Sequence, residues 1–472
     1  MLNHKVMSIV FTLVVTILSS LGIAVAGPAT SGSHGHGPSV LYFPNPSGIL
    51  EVIFTDGRFF DLTNPFFQDL GTNGRTCFSC HKPNDGWTIT PPTVQAIFKA
   101  TRGQDPLFNP VDGTNSPDAD ISTVAARKAA SSMLLTKGLI RVGLPIPADA
   151  EFILAEVDDP YGFASPNQLS LFRRPLPTTN LHFLTGVMID SRESTGPITK
   201  TLNTTDESLY LSNLIFDLKH QANDATLGHA QASQSLSDTT LGQIVDFELH
   251  TFTAQLISTG AGSLDVKGAM GGPLDLSMER FYVTINDVLG ADKFGNPFNP
   301  SAFTLFDAWA NSHYPRRAQI SRGQQLFNNR QFDITGVGGI NDDLDMPVLK
   351  GTCTTCHDSP NVGDHSVPFP INIGTSDGSR RTPDLPLYTL KNKITNETVQ
   401  TTDPGRALIT GLWKDIGKFK GPVLRGLPAR APYFHNGSAA AIEDAIAFYD
   451  DRFNIGFTQE EVEDLAAFLR SL

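Results

Sequence analysis

The chain of 472 residues contains four cysteines, and all four fall in two copies of one pattern: RTCFSCHKP (75–83) and GTCTTCHDSP (351–360). Each copy is Cys-x-x-Cys-His. A disulfide inside either pair would close a very short loop and stabilise little. A Cys2His2 zinc site needs ligands that converge, whereas each histidine here directly follows its second cysteine. The pattern fits a third chemistry, covalent attachment of a c-type haem. Two thiols about one helical turn apart can bond two vinyl groups on one side of a porphyrin, and the next residue offers its imidazole to the iron. On this reading Cys77, Cys80, Cys353 and Cys356 attach two haem c groups, and His81 and His357 are their proximal axial ligands.

The two motifs divide the chain. Residues 1–26 end an apolar run after Lys5 at Ala24-Val25-Ala26 and read as a signal peptide for export to the periplasm. Residues 27–39 read as a flexible linker whose His34 and His36 are able to grip a metal, although a tail is the default. Residues 40–312 are expected to form an N-terminal cytochrome c-like haem domain with insertions, and 313–472 a C-terminal one. A second long apolar run is lacking, so a membrane span after cleavage is not expected. A formal net charge of −13 argues against nucleic acid as a partner.

Helical spacing supplies the supports. Residues 122–138 read as a helix from an N-capping Ser122 to Gly138. Leu241, Ile244, Val245, Leu249 and Phe252 share one face of a second. The C-terminal helix opens with a capping box, Thr458 to Glu461. In the segment 438–453, capped by Ser438, residues Ile442, Ala445, Ile446 and Tyr449 face inward. Pattern alone therefore makes Tyr449 a core tyrosine. Residues 151–157 read as a strand, and 330–345 and 358–405 as long loops. The fold class expected is mainly α: two cytochrome c-type domains with long loops and a small β element in the insertion.

The segment LPARAPYFHNGSAAAIEDAIAFYDDRFNIGFT (427–458) resembles the C-terminal signature of bacterial di-haem cytochrome c peroxidases and their MauG-like relatives. RRPLPTTNLHFLTGVMIDSRES (173–194) and the pair Gln221-Ala222 extend the resemblance, and residues 90–165 look like an insertion. The resemblance implies that the His81 iron is the reactive centre and the His357 iron handles electrons. It also places Tyr449 as sixth ligand of the second iron, where peroxidases usually have Met. A phenolate there lowers the haem potential. His435 belongs to the signature. A calcium ion between the haems would use the carbonyls of Arg430 and Pro432.

The chain departs from the family in two places. Ile189 stands where an inter-haem Trp is usual, and an aliphatic side chain cannot carry a hole. The acid that usually follows the Gln-Ala pair is not evident in HQANDATLGHAQA (220–232). His229 is the nearest group able to shuttle a proton between peroxide oxygens. The alternatives for it are a resting-state iron ligand and a structural histidine. Three functions remain open: reduction of hydrogen peroxide, or another small oxidant, by a soluble electron-donor protein; MauG-like high-valent oxidation of a protein or organic substrate; and non-enzymatic electron transfer.

Overall fold

The computed structural model describes residues 37–194, 207–290 and 292–472, together with the two-residue strand Val25–Ala26. The remainder of the expected signal peptide and the histidines of the linker lie outside the described residues. No helix among the described residues is long and apolar enough to cross a membrane.

Short 3-10 turns carry the motifs, and α-helices and antiparallel sheets brace them. A hairpin of Val40–Asn45 and Gly48–Phe54 pairs in turn with Thr251–Ser258. That last strand takes Phe252, expected on a helix. The helix Asp238–Leu249 stops one residue short of it, and Phe252 pairs with Ile53 instead. Long-range strand pairing overrides local helical spacing because it also buries Thr251 to Gln255 completely or nearly so.

Two other expectations change in detail. The helix expected over 122–138 is two helices, Val124–Ala130 and Ser132–Lys137, capped by Thr123 and not by Ser122. The Thr123 hydroxyl accepts from the Ala126 amide at 3.0 Å. The helix bearing Tyr449 begins at Ile442, four residues after Ser438, and the Asp444 carboxylate accepts the Ala441 amide at 2.9 Å. The capping box at Thr458 and Glu461 is formed, with reciprocal contacts of 3.2 and 2.8 Å.

The expected strand at 151–157 is Phe152–Asp158. It pairs with Leu387–Asn392, which in turn pairs with Thr398–Thr401. Both partners come from a stretch that reads as loop. Their alternation is short, and the strand Phe152–Asp158 that Leu387–Asn392 pairs with lies more than two hundred residues away, where local pattern cannot see it.

Two helices cross in close contact near the second motif. In Pro315–Asn329, Gly323 lies against Gln459–Leu469 so closely that a Cβ there would stand 2.0 Å from the Asp464 carbonyl oxygen. Phe303, Phe306, Phe327 and Phe468 fill the space around that crossing, each 5 % exposed or less. Each such buried aromatic contributes roughly 1.5–3 kcal/mol. The corresponding core beside the first motif is Phe54, Phe66, Trp87 and Phe247.

Candidate functional site

Both Cys-x-x-Cys-His segments fold into the same local shape. Cys77–Ser79 and Cys353–Thr355 are single 3-10 turns, and the His81 and His357 amides each donate to the carbonyl of the first cysteine at 3.1 Å. A hydroxyl three residues after the threonine that opens each turn locks it. Ser79 accepts from the Thr76 amide at 3.1 Å, and Thr355 accepts from the Thr352 amide at 3.0 Å. The four thiols are free of disulfides. Burial pushes them up, to about 12 for Cys77, Cys353 and Cys356 and to about 11 for Cys80.

The two histidines are held alike. His81 Nδ1 lies 3.0 Å from the Trp87 carbonyl, and His357 Nδ1 lies 2.6 Å from that of Gly363. Both acceptors have left-handed backbone, with φ of 61° at Trp87 and 84° at Gly363, and that turn aims the carbonyl back at the ring. A phenylalanine backs each imidazole: Phe66 at 6.3 Å and Phe327 at 5.9 Å between ring centres. Burial lowers both imidazole pKa values, His81 to about 4. Each Nδ1 thus donates to a backbone carbonyl, which sets the tautomer of its ring.

Each histidine opens on an apolar cleft. The first has about 1610 Å³ of empty space, its open mouth included, and the second about 1810 Å³. The residues therefore fit a haem in each cleft: two half-buried free thiols, one oriented imidazole and an apolar slot.

The first cleft gathers Cys77, Cys80, His81, Gln221, Ala222 and His229. His229 follows directly on the helix Glu207–Gly228, and its Nδ1 is bonded to Asp112 Oδ2. The second cleft gathers Cys353, Cys356, His357, Tyr449 and His435. Tyr449 projects from Ile442–Phe453 beside Ile442, Ala445 and Ile446, and burial raises its phenol pKa. His435 stacks on Phe419 with ring centres 4.0 Å apart, and its buried Nε2 has no hydrogen-bond partner.

The clefts share a wall. Arg174, Pro175, Leu176, Pro177, Ile189, Lys420, Pro422, Val423 and Arg430 line both. Ile189 thus sits between the two motif-bearing slots. Asp190 anchors that wall. It is wholly buried against Arg173 and Arg192, and Arg173 also forks onto Asp403 at 2.7 and 2.8 Å. The Arg430 guanidinium donates to the Val423 and Arg425 carbonyls at 3.0 and 2.6 Å.

Sequence reasoning missed three residues. Asp112 lies in the turn-rich stretch NPVDGTN (109–115), where one aspartate looks like any other. Lys420 lies in the shared wall, and desolvation lowers its pKa to about 8. Glu248 lines the first cleft, with Oε2 lacking a partner and its pKa raised by burial to about 8. Its signal was present: it stands at i+7 from Leu241, a carboxyl on an apolar face.

No protein-family model matches the chain. Known proteins do match in part. A cytochrome-c peroxidase of Denitromonas iodatirespirans is 28% identical over 191 residues, 35% of this chain and 44% of that protein. A cytochrome c551 peroxidase of Nitrosomonas europaea is 32% identical over 127 residues, 26% of this chain and 32% of the other. The chain thus spans less than half the length of these relatives. Among solved structures, a MauG-like protein associated with microbial copper homeostasis aligns over 87% of both chains at 16% identity and a TM-score of 0.34. The sequence matches make the chain similar, over about a third of its length or less, to bacterial cytochrome c peroxidases.

Proposed function

We propose that the chain is an exported di-haem c-type oxidoreductase that reduces hydrogen peroxide with electrons from a soluble donor protein. The observation that carries this reading is the shared wall. Two slots, each with its own attachment thiols and oriented histidine, are separated by a single layer of side chains. Electrons would enter at the His357 site and reach the His81 site. The partial matches to peroxidases support the reaction class.

Bound haem would supply the redox chemistry and the site where peroxide binds. The chain's own residues do the rest. His81 and His357 would hold the irons through Nε2, and the Trp87 and Gly363 carbonyls would fix the ring orientation. His229 faces the first cleft from a separate element and would move the proton of the incoming substrate. The two sites differ in surroundings. The first holds His229 and Glu248, which can exchange protons. The second holds Tyr449 and is otherwise mostly apolar.

Tyr449 favours a second reading, MauG-like oxidation of a protein or organic substrate, because it lines the second cleft with His357. A non-enzymatic electron carrier is the third. Steady-state assays of haem-loaded protein with hydrogen peroxide and a reduced donor distinguish them. Peroxide-dependent oxidation of the donor supports the first reading. No such oxidation with any donor sinks it. Two six-coordinate irons inert to peroxide would establish the carrier.

A further inference from the structure

We infer that Asp112 and Arg75 are positioning residues for His229, so that the insertion supplies, in Asp112, the group that joins the motif segment to the proton-handling side of the first cleft. The inference rests on the proposed reading that the His81 site is the reactive one.

The three side chains form a chain of contacts. His229 Nδ1 meets Asp112 Oδ2, and Asp112 Oδ1 accepts from Arg75 Nη1. Arg75 is itself immobilised, donating from Nε to the Pro106 carbonyl at 2.7 Å and from Nη2 to the Leu107 carbonyl at 2.8 Å. Asp112 is 4 % exposed and Arg75 3 %, so neither can exchange its partner for water. The main chain at His229 is tied down as well. Asn73 Nδ2 donates to the His229 carbonyl at 2.9 Å, and the Thr72 amide donates to that of Ala230 at 2.9 Å.

An ion pair whose only task was to anchor the 105–115 loop would be complete with Arg75, Asp112 and the two carbonyls. Here the second carboxylate oxygen is spent on an imidazole whose ring lines the first cleft. The consequence is chemical. A carboxylate on Nδ1 holds the proton there and leaves the Nε2 lone pair as the basic atom. When Nε2 takes a proton from an incoming acid HX, the products are X⁻ and an imidazolium, and the Asp112 charge stabilises the latter. Burial raises the Asp112 carboxyl pKa, but His229 and Arg75 together outweigh this and lower it, and the Arg75 contact fixes the carboxylate in rotation.

Cyanide tests this without turnover, because hydrogen cyanide must lose its proton to bind ferric haem. The association rate is measured by stopped flow on haem-loaded protein at one fixed pH. His229→Gln is expected to slow it by about 10²-fold. Asp112→Asn is expected to slow it about ten-fold with haem content and Soret spectrum unchanged. A rate for Asp112→Asn within about two-fold of the parent, beside a slow His229→Gln, overturns the positioning role. So does a parent protein whose ferric irons take no cyanide, since His229 would not then be acting over an open site. If Asp112→Asn fails to fold, nitrogen NMR of histidine-labelled parent protein decides. Protonated Nδ1 and unprotonated Nε2 at His229 support the inference, and the opposite tautomer overturns it. Peroxide turnover is scored separately: its absence with cyanide kinetics as expected would sink the peroxidase reading and leave the couple standing.

Discussion

Ile189 and Lys420 are joined main chain to main chain, the Lys420 amide donating to the Ile189 carbonyl at 2.8 Å, and both side chains line the two clefts at once. The contact closes the wall between the sites. An isoleucine in that wall offers no orbital for a relayed hole, so the proposed electron exchange would have to cross it by direct tunnelling. Ile189→Trp is expected to speed redox equilibration between the haem sites in the loaded protein, measured by flash photolysis. An unchanged or slower rate would show that this position is not on the route.

Tyr449 is expected to ligate the second iron. Tyr449→Phe should change the optical and electron paramagnetic resonance signals of the His357 haem and leave those of the His81 haem as they were. Unchanged signals at both sites would make Tyr449 a core tyrosine.

Covalent attachment gives the simplest count. Replacing both Cys353 and Cys356 with serine should halve the haem that survives denaturation and acid–acetone extraction. The matching pair of changes at Cys77 and Cys80 should do the same. Haem content equal to the parent's in either variant would refute thioether attachment at that motif.

Asp190 makes stability depend on acid. Burial alone would raise its carboxyl pKa, but the Arg192 and Arg173 guanidiniums outweigh this and hold it at about 2. An aspartate in an unfolded chain titrates near ~3.9. The folded-state value is the lower one, so its stabilisation is present above about pH 4 and is lost as pH falls toward about 2. The loss is on the order of 2 kcal/mol. Urea midpoints at about pH 5 and about pH 3 should differ in the parent and differ less in Asp190→Asn. Equal slopes in parent and variant would remove Asp190 as the cause.

Gly323 is expected to be irreplaceable. A Cβ there would overlap the Asp464 carbonyl, and the two helices would have to separate. Gly323→Ala should cost roughly 1–3 kcal/mol in chemical denaturation. A cost below about 0.5 kcal/mol would mean that the crossing yields more easily than its packing suggests.

The sequence by itself determined the chemistry that is local. Cys-x-x-Cys-His specifies its own turn because five consecutive residues make all of it, and Thr458 with Glu461 specifies a helix start for the same reason. Inward-facing Tyr449 was legible from helical spacing, since periodicity reports which side of a helix is buried. Tertiary structure alone decided what depends on distant partners. It joined Phe152–Asp158 to Leu387–Asn392, drew Phe252 out of a helix into a strand, and put Ile189 and Lys420 in one wall. It also brought Asp112 to His229 across 117 positions. Aspartates in turns look alike in sequence. Burial and a charged partner single one out, and both are properties of the folded chain.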